Sequence, residues 1–181
     1  MPTALSVIDP FSAVISGALV PLHAPVWTPW PLPLGWTFGG VAHTGPPGQP
    51  GGGCTVASWL GTDPFDEPAE LLLVCAEAGA DIGSRFAGLP TSYPGRDVGV
   101  GAPHAKFSVQ GRPVPLWSVD APDDRGVYAG EARGRWLWVI VHPAEASALV
   151  VQPMQLVDAR HLGQELTMVP VGELSPRLMV E

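Results

Sequence analysis

The sequence predicts an α+β fold: a mainly antiparallel sheet of about six or seven strands, with a short N-terminal amphipathic helix and few other short helices. Three observations lead there. Short apolar runs recur between turns rich in the 22 Gly and 22 Pro, as strands of a sheet do. Arg135 to His142 is apolar on both alternating sets of side chains, as a central, doubly covered strand requires. The stretches between strand candidates are too short for crossover helices, which excludes a doubly wound parallel fold. At 181 residues the chain is expected to form a single domain, 1–181.

The elements follow in order. Asp9-Pro10 has the form of an N-cap followed by proline at the first helical position. Phe11, Val14, Ile15, Ala18, Leu19 and Leu22 then recur at helical spacing, so a helix is expected over 9–22 with its stripe laid on the sheet. Residues 23–36 form a Trp/Pro strap. The sheet is expected within 37–151, with strands at Thr37 to His43, Cys54 to Leu60, Leu71 to Ala76, Lys106 to Gln110, Val114 to Val119, Gly126 to Ala132 and Arg135 to His142. Asp81 to Ala87 reads as a helical turn or two closed by Gly88. Ala148 to Val151 suggests a further strand and Gln155 to Leu162 a short helix. Residues 152–181 read as a C-terminal extension whose last residues, from Glu173, are extended.

The strap, Pro25 to Trp36, holds three tryptophans and four prolines in Pro-Val-Trp-Thr-Pro-Trp-Pro-Leu-Pro-Leu-Gly-Trp. Proline fixes φ and removes a donor, so this segment is neither helix interior nor central strand. Trp27, Trp30 and Trp36 either seal the core or form a partner surface, since indoles recur at binding hot spots.

Charge excludes some partners. Residues 1–84 hold seven acids and no base, while residues 85–181 hold all nine bases beside ten acids, giving the net −8. Such a surface repels nucleic acid and anionic membranes. No apolar run is long enough to span a bilayer, and the N-terminus lacks the positive region of a signal peptide, so a cytoplasmic protein is expected. Cys54 and Cys75 form no Cys-x-x-Cys and read as buried thiols.

Catalytic signatures are sparse. The Gly-rich loop from Gly45 to Gly53 lacks the Lys and the following helix of a phosphate-binding loop. His23, His43, His104, His142 and His161 show no metal-ligand spacing; Asp158 and His161, three apart, are two ligands and not a site. Neither metal nor cofactor is therefore expected. The densest charged cluster is Asp120, Asp123, Asp124 and Arg125. Its structural explanation is a turn and an ion pair with a strand arginine.

Three long segments carry a resemblance: the Trp/Pro strap, Ala-Pro-Asp-Asp-Arg-Gly-Val-Tyr-Ala-Gly-Glu-Ala-Arg-Gly-Arg-Trp-Leu-Trp, and the terminal Leu-Ser-Pro-Arg-Leu. Over roughly Asp9 to Val180 the chain resembles an uncharacterised actinobacterial family, a domain of unknown function. The resemblance implies no catalytic residues. Longer members of that family begin with a zinc-ribbon-like segment, which this sequence lacks, so no ribbon-dependent role is expected.

These observations favour a non-enzymatic binding or protein-interaction module over an enzyme, with an unidentified protein or small ligand as partner. The alternative is a small hydrolase or transferase using Asp123, Asp124 and Glu131 with His142 or His104, because paired carboxylates serve acid–base chemistry when one is desolvated. A structural homo-oligomer such as a homodimer is the third expectation, from the low charge and extended C-terminus.

Overall fold

The computed structural model describes residues 3–49 and 52–179. Two residues of the Gly/Pro loop and the last two of the expected extended end lie outside them. The elements are β1 (Ser6–Ile8), α1 (Pro10–Ile15), β2 (Trp27–Pro29), β3 (Thr37–His43), β4 (Thr55–Thr62), β5 (Pro68–Ala76), α2 (Ile82–Ala87), β6 (Ala105–Val109), β7 (Arg112–Val119), β8 (Gly126–Ala132), β9 (Arg135–His142), α3 (Ala148–Val151) and β10 (Gln155–Asp158). The strands form one sheet of ten in the order β1-β3-β4-β5-β9-β8-β7-β6-β10-β2. Every neighbouring pair is antiparallel except β6 and β10, which run parallel. Among the described residues no helix is long and apolar enough to cross a membrane.

The doubly apolar pattern of β5 and β9 makes them the sheet's centre. Leu71, Leu73 and Cys75 of β5 join Leu137, Val139 and Val141 of β9 in an inner cluster. Leu72, Val74 and Ala76 join Trp138 and Ile140 in an outer one. Each fully buried Leu, Val or Ile contributes about 1.5–3 kcal/mol. The sheet's far edge curls back to cover the inner cluster: Trp27, Phe107 and Leu156, from β2, β6 and β10, belong to it. The Trp59 indole N–H donates to the Trp27 carbonyl at 3.2 Å, fastening β2 over β4. The buried Asp158 carboxylate accepts from the Val26 amide at 3.1 Å and from the Arg160 guanidinium, whose Nη1 donates to the Leu22 carbonyl at 2.8 Å. This network anchors the start of the Trp/Pro segment. On the outer face, Ile82 and Phe86 of α2, Leu174 and Leu178 of the C-terminal segment, and Leu5 and Val7 form the cover.

The expected fold is corrected in two respects. There are ten strands and not six or seven. The additional ones include β1, β2 and β10, three or four residues each, too short to show a period and paired with residues distant in sequence. The amphipathic helix over 9–22 does not form. A six-residue helical segment, Pro10–Ile15, takes its place, with Phe11 and Ile15 of the supposed core stripe 59% and 58% exposed. Asp9 accepts from the Ser12 amide at its start, but Gly17, at φ +69°, turns the chain away immediately afterwards. Leu19 and Leu22 reach the core from turns. Near the C-terminus two assignments exchange: Ala148–Val151 is helix, and Gln155–Asp158 is strand followed by a 3₁₀ turn. Pro176–Met179 is also a 3₁₀ turn and not extended.

Gly83 of α2 lies directly against the Trp138 indole; a Cβ there would overlap the ring. Alanine is the better helix former by about 1 kcal/mol. Overlap with a core indole costs more, about 1–3 kcal/mol. Gly83→Ala is therefore expected to lower the urea unfolding midpoint, and an equal or raised midpoint would contradict this packing.

Candidate functional site

Along β5 and β9 the outer face is apolar until the start of β5 and the close of β9. There the alternation that buries Leu72 and Ile140 also turns Glu70 and His142 to the same face. The register pairs Leu60 with Glu70 and Glu70 with His142, so the three form one row across β4, β5 and β9. Both polar members are buried, Glu70 at 7% and His142 at 5% exposure.

Two hydroxyl donors and one ion pair hold the Glu70 carboxylate. The Ser58 hydroxyl donates to Oε1 at 2.7 Å, and the Ser175 hydroxyl donates to the same oxygen. Arg177 Nε lies 2.6 Å from Oε2. Ser58 comes from β4, whereas Ser175 and Arg177 come from the C-terminal segment. A buried carboxylate needs such compensation, because an unpaired charge there costs several kcal/mol.

Arg125, from the turn between β7 and β8, adds a second anchor. Its Nε and Nη2 donate to the two oxygens of Asp124 at 2.8 and 3.1 Å, and its Nη1 donates to the Phe86 carbonyl of α2 at 2.9 Å. Arg85, also on α2, donates from Nη1 to the Thr3 carbonyl at 2.7 Å. Between these groups lies a cleft of about 670 Å³, lined by Glu70, His142, Leu72, Phe86 and Pro176 with Arg85, Arg125 and Arg177. A shallower concavity of about 440 Å³ shares Glu70, His142 and Arg177 and adds Asp124 and Leu60.

Electrostatics inside the cleft favour a neutral imidazole. Burial pushes the His142 pKa down to about 4, and the Arg177 and Arg125 charges push the same way against the weaker pull of Glu70 and Asp124. Arg125 and its hydrogen bonds hold the exposed Asp124 carboxyl below the ordinary carboxylate value.

The residues anticipated from sequence divide. Arg125 and His142 line the cleft, and Asp124 and His142 border the adjoining concavity. Asp120 and Asp123 are exposed near the turn. Glu131 pairs with Trp136 at the opposite end of β9 and is exposed. His104 is exposed, its Nδ1 accepting from the Ser118 amide at 3.0 Å. Trp27 and Trp36 are buried at 1% and 4% exposure, while Trp30 is half-buried. Trp30 and Trp36 border a separate groove of about 520 Å³ with Pro31 and Met154.

Sequence reasoning missed Glu70, Arg85 and Arg177. Glu70 carried a usable signal: it is in phase with Leu72 and Val74 and so falls on a buried face. Arg177 had none, since its placement depends on the C-terminal segment crossing β3. Among the described residues no three His, Cys, Asp or Glu side chains gather as metal ligands. Cys54 and Cys75 are buried free thiols, and burial pushes Cys75 up to about 12.

A model of a family of unknown function, DUF6758, matches residues 3–178, and the chain belongs to that family. No curated protein and no solved structure matches it.

The His142 shift has a measurable sign. Its native pKa is about 4 against an ordinary 6.5. Between these values the unfolded chain binds a proton that the native protein does not, so stability falls as pH falls, by up to about 1.4 kcal/mol per unit. Below about 4 this contribution levels off. Urea titrations from pH 7 to 5 are expected to show a smaller loss of stability for His142→Asn than for the parent. Equal losses would contradict a buried neutral imidazole.

Proposed function

We propose that this member of a family of unknown function is a cytoplasmic, non-enzymatic binding module, and that its ligand is a small anionic molecule held in the Glu70–His142 cleft. One observation carries the reading. In a chain with nine basic residues and a net charge of −8, three arginines from α2, the β7–β8 turn and the C-terminal segment line one cleft. Guanidinium forks match carboxylates and phosphates, and Arg125 is held in position by Asp124 and Phe86 before any ligand arrives. Burial of Trp27 and Trp36 supports moving the ligand from the Trp/Pro strap to this cleft. Glu70 is occupied by two hydroxyl donors and an ion pair, and Asp124 by Arg125, which favours binding over acid–base catalysis. The free, buried thiols fit a reducing compartment.

A second reading, a hydrolase or transferase, keeps one supporting observation: Asp124 and His142 border the same concavity. Glu131 and His104 take no part in it.

The test is an NMR titration that follows the His142 ring resonances. Benzoate, acetate and inorganic phosphate are compared with neutral benzamide. The expected outcome is movement with anions alone, and about tenfold weaker binding in Arg85→Gln, the loss of one charge-assisted contact. Resonances that ignore every anion, or respond equally to benzamide, would overturn the reading.

A further inference from the structure

We infer a second ligand site, independent of the cleft above: the groove beside the Trp/Pro strap takes a small organic amine, with its ammonium on Asp63 and its apolar body against Trp30. A buried charge without a counter-charge carries the inference. Among the described residues three carboxylates are buried, those of Asp63, Glu70 and Asp158. Glu70 is paired with Arg177 and Asp158 with Arg160. Asp63, 8% exposed, forms no ion pair among the described residues. Its Oδ1 accepts from the Phe65 and Glu67 amides at 2.8 and 3.0 Å, in the turn between β4 and β5. Its Oδ2 accepts no hydrogen bond among the described residues. Two amides on one oxygen offset part of the cost of burying a carboxylate; a cation on the other oxygen offsets the rest.

The groove sets the kind of cation. It holds about 520 Å³, within the range of small-molecule sites. Asp63 is the one charged side chain in its lining, which is otherwise mostly apolar and includes Trp30, Trp36, Pro31, Leu149 and Met154. One carboxylate in such a lining does not make the oxygen cage that a hard metal ion needs. Indoles attract ammonium groups, and a protonated amine has the N–H that Oδ2 can accept, which a quaternary ammonium lacks. The walls are built in. The Trp30 amide donates to the Gln155 carbonyl at 2.9 Å, tying the strap to β10. Trp36 lies against β4, where a Cβ on Gly61 would overlap its indole. Trp36 is almost fully buried, so the half-buried Trp30 supplies the accessible aromatic surface.

Calorimetric titration of the full chain at pH 7 tests this with three probes: benzylamine, benzyl alcohol and methylamine. Benzylamine is expected to bind about tenfold more tightly than benzyl alcohol, which lacks the charge, and than methylamine, which lacks the body. Asp63→Asn keeps an acceptor for the turn amides and removes the charge; its urea midpoint checks that it folds. Its affinity for benzylamine is expected to fall about tenfold, to that for benzyl alcohol. Trp30→Leu, at a half-buried position, is expected to weaken benzylamine more than benzyl alcohol, because it removes the indole that the ammonium meets. No binding of benzylamine, equal binding of benzyl alcohol or methylamine, or benzylamine affinity unchanged in a folded Asp63→Asn or in Trp30→Leu would overturn the site.

Discussion

The buried carboxylate of Glu70 joins the middle of the sheet to the end of the chain. It sits on β5, between β4 and β9, accepts from the Ser58 and Ser175 hydroxyls and forms an ion pair with Arg177. The cost of burying this charge is offset only while its donors stay in place. The C-terminal segment is thereby tied to the sheet. It crosses β3, where the Gly172 and Ser175 amides donate to the Phe38 and Gly39 carbonyls, each at 2.9 Å. Leu178, on the same segment, is fully buried in the outer cluster. Pro176 and Arg177, carried on this segment, form one wall of the cleft.

The uneven charge of the chain takes on a spatial meaning here. The N-terminal half has acids and no base, and Glu70 belongs to it; Arg85 is the first base and the later ones follow. Folding brings Glu70 together with Arg85, Arg125 and Arg177. A chain of net charge −8 thus gathers three of its nine bases around one cleft.

The central strands were legible because their local pattern and tertiary burial agree. The bounds of β3, β8 and β9 coincide with those expected, and the alternation in β9 separates the two clusters as its apolar faces imply. What was illegible depended on distant partners. Ser6–Ile8 becomes a strand because residues 41–43 lie beside it, and Gln155–Asp158 because β2 and β6 flank it. The helix over 9–22 failed at Gly17, whose left-handed conformation overrode a persuasive spacing of apolar residues. The site divides the same way. His142 and Asp124 could be named from strand phase and turn chemistry, whereas Arg177 reaches Glu70 across 107 positions of chain.

The most direct test of the Glu70 tie is amide hydrogen exchange in Glu70→Gln, which keeps the shape and removes the charge. The account predicts faster exchange at Gly172, Ser175 and Leu178, with protection in β5 and β9 retained. Unchanged protection at those three amides would contradict it, because the C-terminal segment would then be held without the buried ion pair.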